Sequence, residues 1–461
     1  MLAASAAGIG GAAAYGTLRA ISGREQPRRP GHLPPRRQAP VAGLSACVPP
    51  QQQVPVDRTV VTRFQPGHGF VLTGAAAESD VNDTAAGQFA CGTQSARVVT
   101  VGNDRTYANL TSTALRFDTT GKYLAVTFRV SSALDARTLE LEIANDPAFT
   151  RSFSWQFADR VANLGSGFTY DDQWEQVFLS FADAVPTGRP DRDGLTAIRL
   201  RAQDHGRPVT VHWQEVALIG DPAQRFPRGV ATICLDDVYR SQYTLARPVL
   251  AAHGFRATVA VIRQAIGLES AMTLANLRSL QDEHGWEIGC HANALAVHHA
   301  TDIGVPLSAV VSDLRSELAF LRRSGFTGEK IHAYPSGRWN PAVLQAVSGY
   351  CHSARLDFFR TQETLPPANP YKLRACGSIS TVPGSHSPAE VMGYIDAAAK
   401  HRSWLILIFH KFVTGKPVQR TECALADFEA IIGHLAASGM PVLTTAEVMR
   451  QVRAGQFAMS S

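Results

Sequence analysis

The sequence predicts an α/β fold, a distorted (β/α)7 barrel in the C-terminal half, preceded by an all-β sandwich. Two patterns predict it. Beyond Arg228, short apolar runs alternate with segments of helical period, as in a parallel sheet covered by helices. Between about Arg58 and Ile219, apolar and polar residues alternate in short runs separated by turn residues, as in antiparallel sheets. The length of 461 residues allows two or three domains, and 45% hydrophobic with 18% charged residues excludes a mainly disordered chain. The expected organisation is a leader at 1–55, a sandwich at 56–222 and a barrel at 223–455.

The leader holds arginines 19, 24, 28, 29, 36 and 37 against the single acid Glu25, which accounts for the whole net charge of +5. The remainder is therefore close to neutral and carries no nucleic-acid footprint. Eight of the 26 prolines also lie here, so no packed domain is expected. Met1 to Gly16 is apolar and small, resembling the core of an export signal, and predicts a secreted or cell-surface protein. No run of 18 apolar residues follows, so no later membrane span is expected. None of the seven cysteines forms a Cys-x-x-Cys pair, which argues against a zinc ribbon or redox motif.

In the sandwich, Leu124–Val130, Leu139–Ile143, Phe153–Phe157, Val177–Phe181, Ile198–Arg201 and Val209–Trp213 read as strands. Their order resembles the jelly-roll modules attached to carbohydrate-active enzymes. Trp155, Trp174 and Trp213 would serve there either as sugar-stacking platforms or as core side chains, and the core reading is preferred because strand tryptophans are mostly buried.

In the barrel, strands are expected at Val230–Leu235, Ala257–Ile262, Trp286–Gly289, His332–Tyr334, Trp404–Phe409 and Val442–Leu443. Helices are expected near Tyr243–Ala252, Thr273–Glu283, Pro306–Arg323, Asn340–Gly349, from Ser387 and over Leu425–Leu435. In such barrels the chemistry sits at the C-terminal strand ends. The polar residues fall there: Asp236-Asp237 after the first strand, His291 after the third, Tyr334 after the fourth and His410 after the last apolar strand. Alone, an Asp-Asp pair is usually a solvated turn, and His298-His299 an ordinary loop pair. As an ordered set they are far more specific. One aspartate with two histidines makes a ligand set for a divalent metal with open positions, and the second aspartate is then free as a base.

With these residues the chain resembles the polysaccharide deacetylase family, the carbohydrate esterases built on the NodB homology domain, over about residues 228–455. The matching motifs are Ile233-Cys-Leu-Asp-Asp237, Glu287-Ile-Gly-Cys-His291, Tyr334-Pro-Ser-Gly337 and Leu407-Ile-Phe-His410. The resemblance implies Asp236 as base, Asp237 and His291 as metal ligands, His410 as acid and the backbone N–H near Tyr334 as an oxyanion donor. It also implies a small pocket walled by Leu407 and Ile408. The family's second histidine usually follows the first by four residues, where this chain has Leu295; a branch with a longer spacing selects His298 over His299. The arginine of the third motif is Ala333 here, and the Asp-and-Trp motif is unrecognisable near Tyr350–Phe359, where Arg355 or Asp357 could serve.

The expected function is metal-dependent removal of acetyl groups, N-linked before O-linked, from a polysaccharide such as a GlcNAc-containing glycan or peptidoglycan. Zinc (Zn2+) suits the ligand set best, with cobalt or another divalent ion also able to bind. Two rivals are a non-catalytic glycan-binding or attachment protein that keeps the barrel, and an amidase acting on a linear C–N bond.

Overall fold

A computed structural model describes residues 57–157, 169–220, 225–357 and 362–457. The export-like leader, residues 1–55, and the expected junction between sandwich and barrel lie outside these residues. Twelve strands precede the parallel sheet. They are β1 (Asp57–Arg63), β2 (Val71–Thr73), β3 (Asp80–Asp83), β4 (Ser95–Val99), β5 (Ala108–Ser112) and β6 (Lys122–Val130). The rest are β7 (Ala136–Ala144), β8 (Ser152–Gln156), β9 (Trp174–Leu179), β10 (Val185–Thr187), β11 (Ala197–Asp204) and β12 (Thr210–Gly220).

These strands form two antiparallel sheets, one in the order β3-β4-β12-β6-β9 with β1 also on β12, the other β10-β8-β7-β11-β5-β2. Alternation decides which residues go inside. On β7, Leu139, Leu141 and Ile143 are buried in the shared core, while Glu140 and Glu142 stand opposite Arg201 and Arg199 of β11. Trp155 and Trp213 are buried at 2% and 1% exposure, so they are core side chains; Trp174 remains partly exposed, with the Arg129 guanidinium 5.3 Å from its ring centre.

The β6–β12–β9 sheet is covered on its other face as well. Tyr123, Ala125, Phe178, Ala217 and Ile219 pack with Ala368 from the C-terminal half. Buried polar contacts lock the same face: Lys372 pairs with Glu175, Arg374 donates to the Phe178 carbonyl, and the Tyr123 hydroxyl donates to the Arg402 carbonyl.

The C-terminal half is built on six parallel strands: β13 (Val230–Asp236), β14 (Thr258–Ile262), β15 (Glu287–Ala292), β16 (Gly328–Ala333), β17 (Ser353–Arg355) and β18 (Trp404–Phe409). Their order is β17-β16-β15-β14-β13-β18. The full-length apolar runs of β13, β14 and β18 are buried along their whole length, as strands covered on both faces require. The seven-unit expectation is met only in part. Val442 contributes a single bridge to Ala231, and the space between β17 and β18 is spanned by an irregular segment in which Leu373 bridges Arg355 and Cys376 bridges Leu407.

The helices are α1 (Arg247–Ala252), α2 (Leu274–Asp282), α3 (Leu295–Ala300), α4 (Leu307–Arg323), α5 (Pro341–Ser348), α6 (Pro388–His401), α7 (Leu425–Ser438) and α8 (Thr445–Phe457). Thr273, Asn340 and Ser387 cap α2, α5 and α6 by accepting from backbone N–H groups of the first turn. Among the described residues no helix is long and apolar enough to cross a membrane. Cys91 is disulfide-bonded, and the other five described cysteines are buried.

Candidate active site

β13, β15, β16, β17 and β18 all deliver polar groups at their C-terminal ends. Asp236 closes β13, and the chain then turns sharply, with Asp237 and Val238 both in the left-handed region at φ 70° and 54°. Such backbone costs about 1–3 kcal/mol per residue and persists where the surroundings over-determine it. The buried Gln242 side chain supplies part of that determination: its amide donates to the carbonyls of Asp236 and His410, tying the ends of β13 and β18 together.

The turn aims Asp237 at two histidines. Its Oδ1 lies 3.5 Å from His291 Nε2 and 3.2 Å from His298 Nε2, and the two Nε2 atoms are 3.1 Å apart. His291 Nδ1 donates to the Ala333 carbonyl at 2.7 Å, so its Nε2 carries the lone pair that faces Asp237. Asp237 Oδ1 is buried and accepts no hydrogen bond. A carboxylate and imidazole nitrogens converging within 4.8 Å of one another are donors suited to a divalent cation, and the three residues fit one. His299 is exposed on α3 and outside this group, so the spacing of seven selects His298.

Electrostatics agree with that reading. Burial alone would raise the Asp237 carboxyl, but His291 and His298 beside it, with His410 beyond, hold it well below the usual carboxylate range. Burial pulls the His291 pKa down, and Asp237 and Asp236 more than offset it. For His298 burial prevails and its pKa falls.

Asp236 is buried and forms an ion pair with the guanidinium of Arg355, while its other oxygen lies 3.9 Å from His410 Nε2. Arg355, one of the two candidates named near Tyr350–Phe359, is brought beside Asp236 by β17. Ala333 on β16 stands opposite Arg355 on β17, so the neighbouring strand brings a guanidinium to the same level of the barrel. Burial opposes the Arg355 charge, but Asp236 holds it protonated. Asp357, two residues on, sits in a niche made by glycines: a Cβ on Gly377 would lie 2.3 Å from its Oδ1, and one on Gly337 2.6 Å from its N. Burial raises its carboxyl although His410 and Arg355 oppose the shift.

Tyr334 follows β16 and is buried. Its backbone N–H donates to the Arg355 carbonyl at 3.2 Å, and its hydroxyl has no hydrogen-bond partner. Leu407 and Ile408 are buried within β18. Sequence reasoning missed Gln242, because a glutamine in a helix gives no signal of the two carbonyls it reaches.

Residues 223–351 match the family model described as polysaccharide deacetylase. Among solved structures the chain is similar to the Xyl-CE4 domain of a multidomain xylanase from the hindgut metagenome of Trinervitermes trinervoides. That match has 17% identity and a TM-score of 0.33, covering 49% of this chain and 91% of that one. A family 4 carbohydrate esterase from Streptomyces lividans matches with 14% identity and a TM-score of 0.32, over 46% of this chain and 91% of that one. A peptidoglycan deacetylase from Bacillus subtilis matches with 13% identity and a TM-score of 0.34, over 51% of this chain and 96% of that one. No curated protein matches the chain.

Proposed function

We propose that this chain is a metal-dependent hydrolase that removes acetyl groups from an N-acetylated glycan, a reading supported by the match of residues 223–351 to the polysaccharide deacetylase family model. The observation that carries the reading is the convergence of Asp237, His291 and His298 next to an ion-paired Asp236. A divalent cation held by those three residues, zinc best among them, would supply Lewis acidity toward an acyl oxygen and lower the pKa of a water toward about 7.

The remaining chemistry belongs to the chain. Asp236 takes the proton of the attacking water, and Arg355 orients that carboxylate. His410, on the far side of Asp236, donates a proton to the departing amine. For an oxyanion role the Tyr334 N–H would exchange its long bond to Arg355 for the substrate oxygen. Leu407 and Ile408 are buried in separate core clusters on the two faces of β18, so the pair does not wall one acetyl pocket. Burial of Trp155 and Trp213 removes two of three sugar platforms, so glycan recognition is assigned to the barrel mouth.

The test is acetate release from acetylated chitooligosaccharides and from peptidoglycan, with zinc and with chelator. Zinc-dependent release supports the proposal. Stoichiometric zinc binding without acetate from either glycan would favour the non-catalytic glycan-binding reading instead.

A further inference from the structure

His298 rides on α3, a helix of six residues with no fully buried side chain, so packing of its own faces does not fix the ligand. The two ends of the helix do. At the N-terminal end, Asp313 of α4 accepts the N–H groups of Asn293 and Ala294 at 2.7 and 2.9 Å, and Gln264 accepts that of Leu295 at 3.0 Å. At the C-terminal end the chain turns at Thr301, with φ 64°, and is closed by Gly304. Gly304 N–H donates to the Thr301 carbonyl, and a Cβ on Gly304 would lie 1.9 Å from the Ala300 carbonyl oxygen. Between them Asp302, 3% exposed, meets His332 of β16, also 3% exposed, with 3.1 Å between Oδ2 and Nε2. His332 is the residue before Ala333, whose carbonyl orients His291.

We infer that Asp302 and His332 are positioning residues for the metal centre. Through them the strand that orients His291 also anchors the far end of the helix carrying His298, so β16 sets the separation of the two imidazoles. The longer spacing between the two histidines needs such an anchor, because a short exposed helix would otherwise leave its ligand free to drift. The inference rests on reading Asp237, His291 and His298 as a metal centre.

The experiment measures zinc affinity of the full chain by competition with a chromophoric chelator, and the visible spectrum of the cobalt form. Asp302→Ala is expected to weaken zinc binding by about tenfold or more, the scale of outer-shell substitutions, and to change the cobalt bands. Asp302→Asn, whose amide oxygen still accepts from His332, is expected to restore both. Should Asp302→Ala fail to fold, Gly304→Ala displaces the exposed end of the same turn and is expected to weaken binding in the same direction. Ser387→Ala, which uncaps the remote α6, serves as the stability control and should leave affinity unchanged. Unchanged zinc affinity and cobalt bands in Asp302→Ala or Gly304→Ala would overturn the inference while leaving the centre intact. Absence of zinc binding by the unaltered chain would overturn both.

Discussion

The sandwich and the barrel mouth treat buried carboxylates in opposite ways. In the sandwich four are matched to guanidinium groups: Glu140 to Arg201 at 2.9 Å, Glu142 to Arg199, Asp83 to Arg97 at 2.9 Å, and Glu215 to Arg63 at 2.6 Å and to Arg58. Glu140–Arg201, Glu142–Arg199 and Glu215–Arg63 sit directly across strands, where register fixes them. At the barrel mouth Asp236 has one such partner, but Asp237 faces two imidazoles over a gap that hydrogen bonds do not fill. Charges balanced pair by pair stabilise a structure. Acceptors that converge without enough protons mark a place where something binds or reacts.

Substitutions on either side sharpen that contrast. The largest effect is expected at the base: Asp236→Asn should lower kcat for deacetylation by about 10²–10⁴ and leave zinc affinity near that of the unaltered chain. A loss of zinc binding equal to that of Asp237→Ala would show that the two aspartates do not divide their roles. Next is Arg355→Met, which strands a buried carboxylate and should cost about 3–5 kcal/mol in urea denaturation. An unchanged denaturation midpoint would mean that Arg355 does not stabilise the buried carboxylate.

A smaller effect concerns Glu287 at the opposite end of β15. Burial raises its carboxyl to about 7 from 4.5, although Thr258 and Ala446 donate to it. The folded chain therefore keeps a proton that the unfolded chain has lost. Its contribution is complete below pH 4.5 and declines as pH rises toward 7, by up to about 3 kcal/mol. Denaturation at a series of pH values should show this slope flattened in Glu287→Gln. The smallest effect is expected at Arg207, which pairs with Asp135 but is 74% exposed: Arg207→Ala should change stability by about 0.5 kcal/mol or less.

Legibility of the sequence followed the strength of local patterns. The runs 230–235, 257–262 and 404–409 announced buried parallel strands, and each became one. The three-residue β17 did not announce itself, since Ser353-Ala-Arg355 carries no apolar period, so Arg355 could be named as a candidate but not placed beside Asp236. Its place emerges only from the pairing of Ala333 with Arg355. The helix carrying His298 was likewise hidden, because six residues with no buried face have no periodicity to detect. The grouping of Asp237, His291 and His298 itself was readable, because strand ends converge in a barrel whatever their separation in sequence.

The central claim is that Asp237, His291 and His298 form one metal centre. Zinc stoichiometry of the full chain tests it most directly, compared with Asp237→Ala, His298→Ala and His299→Ala. The account predicts one tightly bound zinc per chain, lost in the first two variants and kept in the third. Equal binding by all four proteins, or binding lost only with His299→Ala, would contradict it.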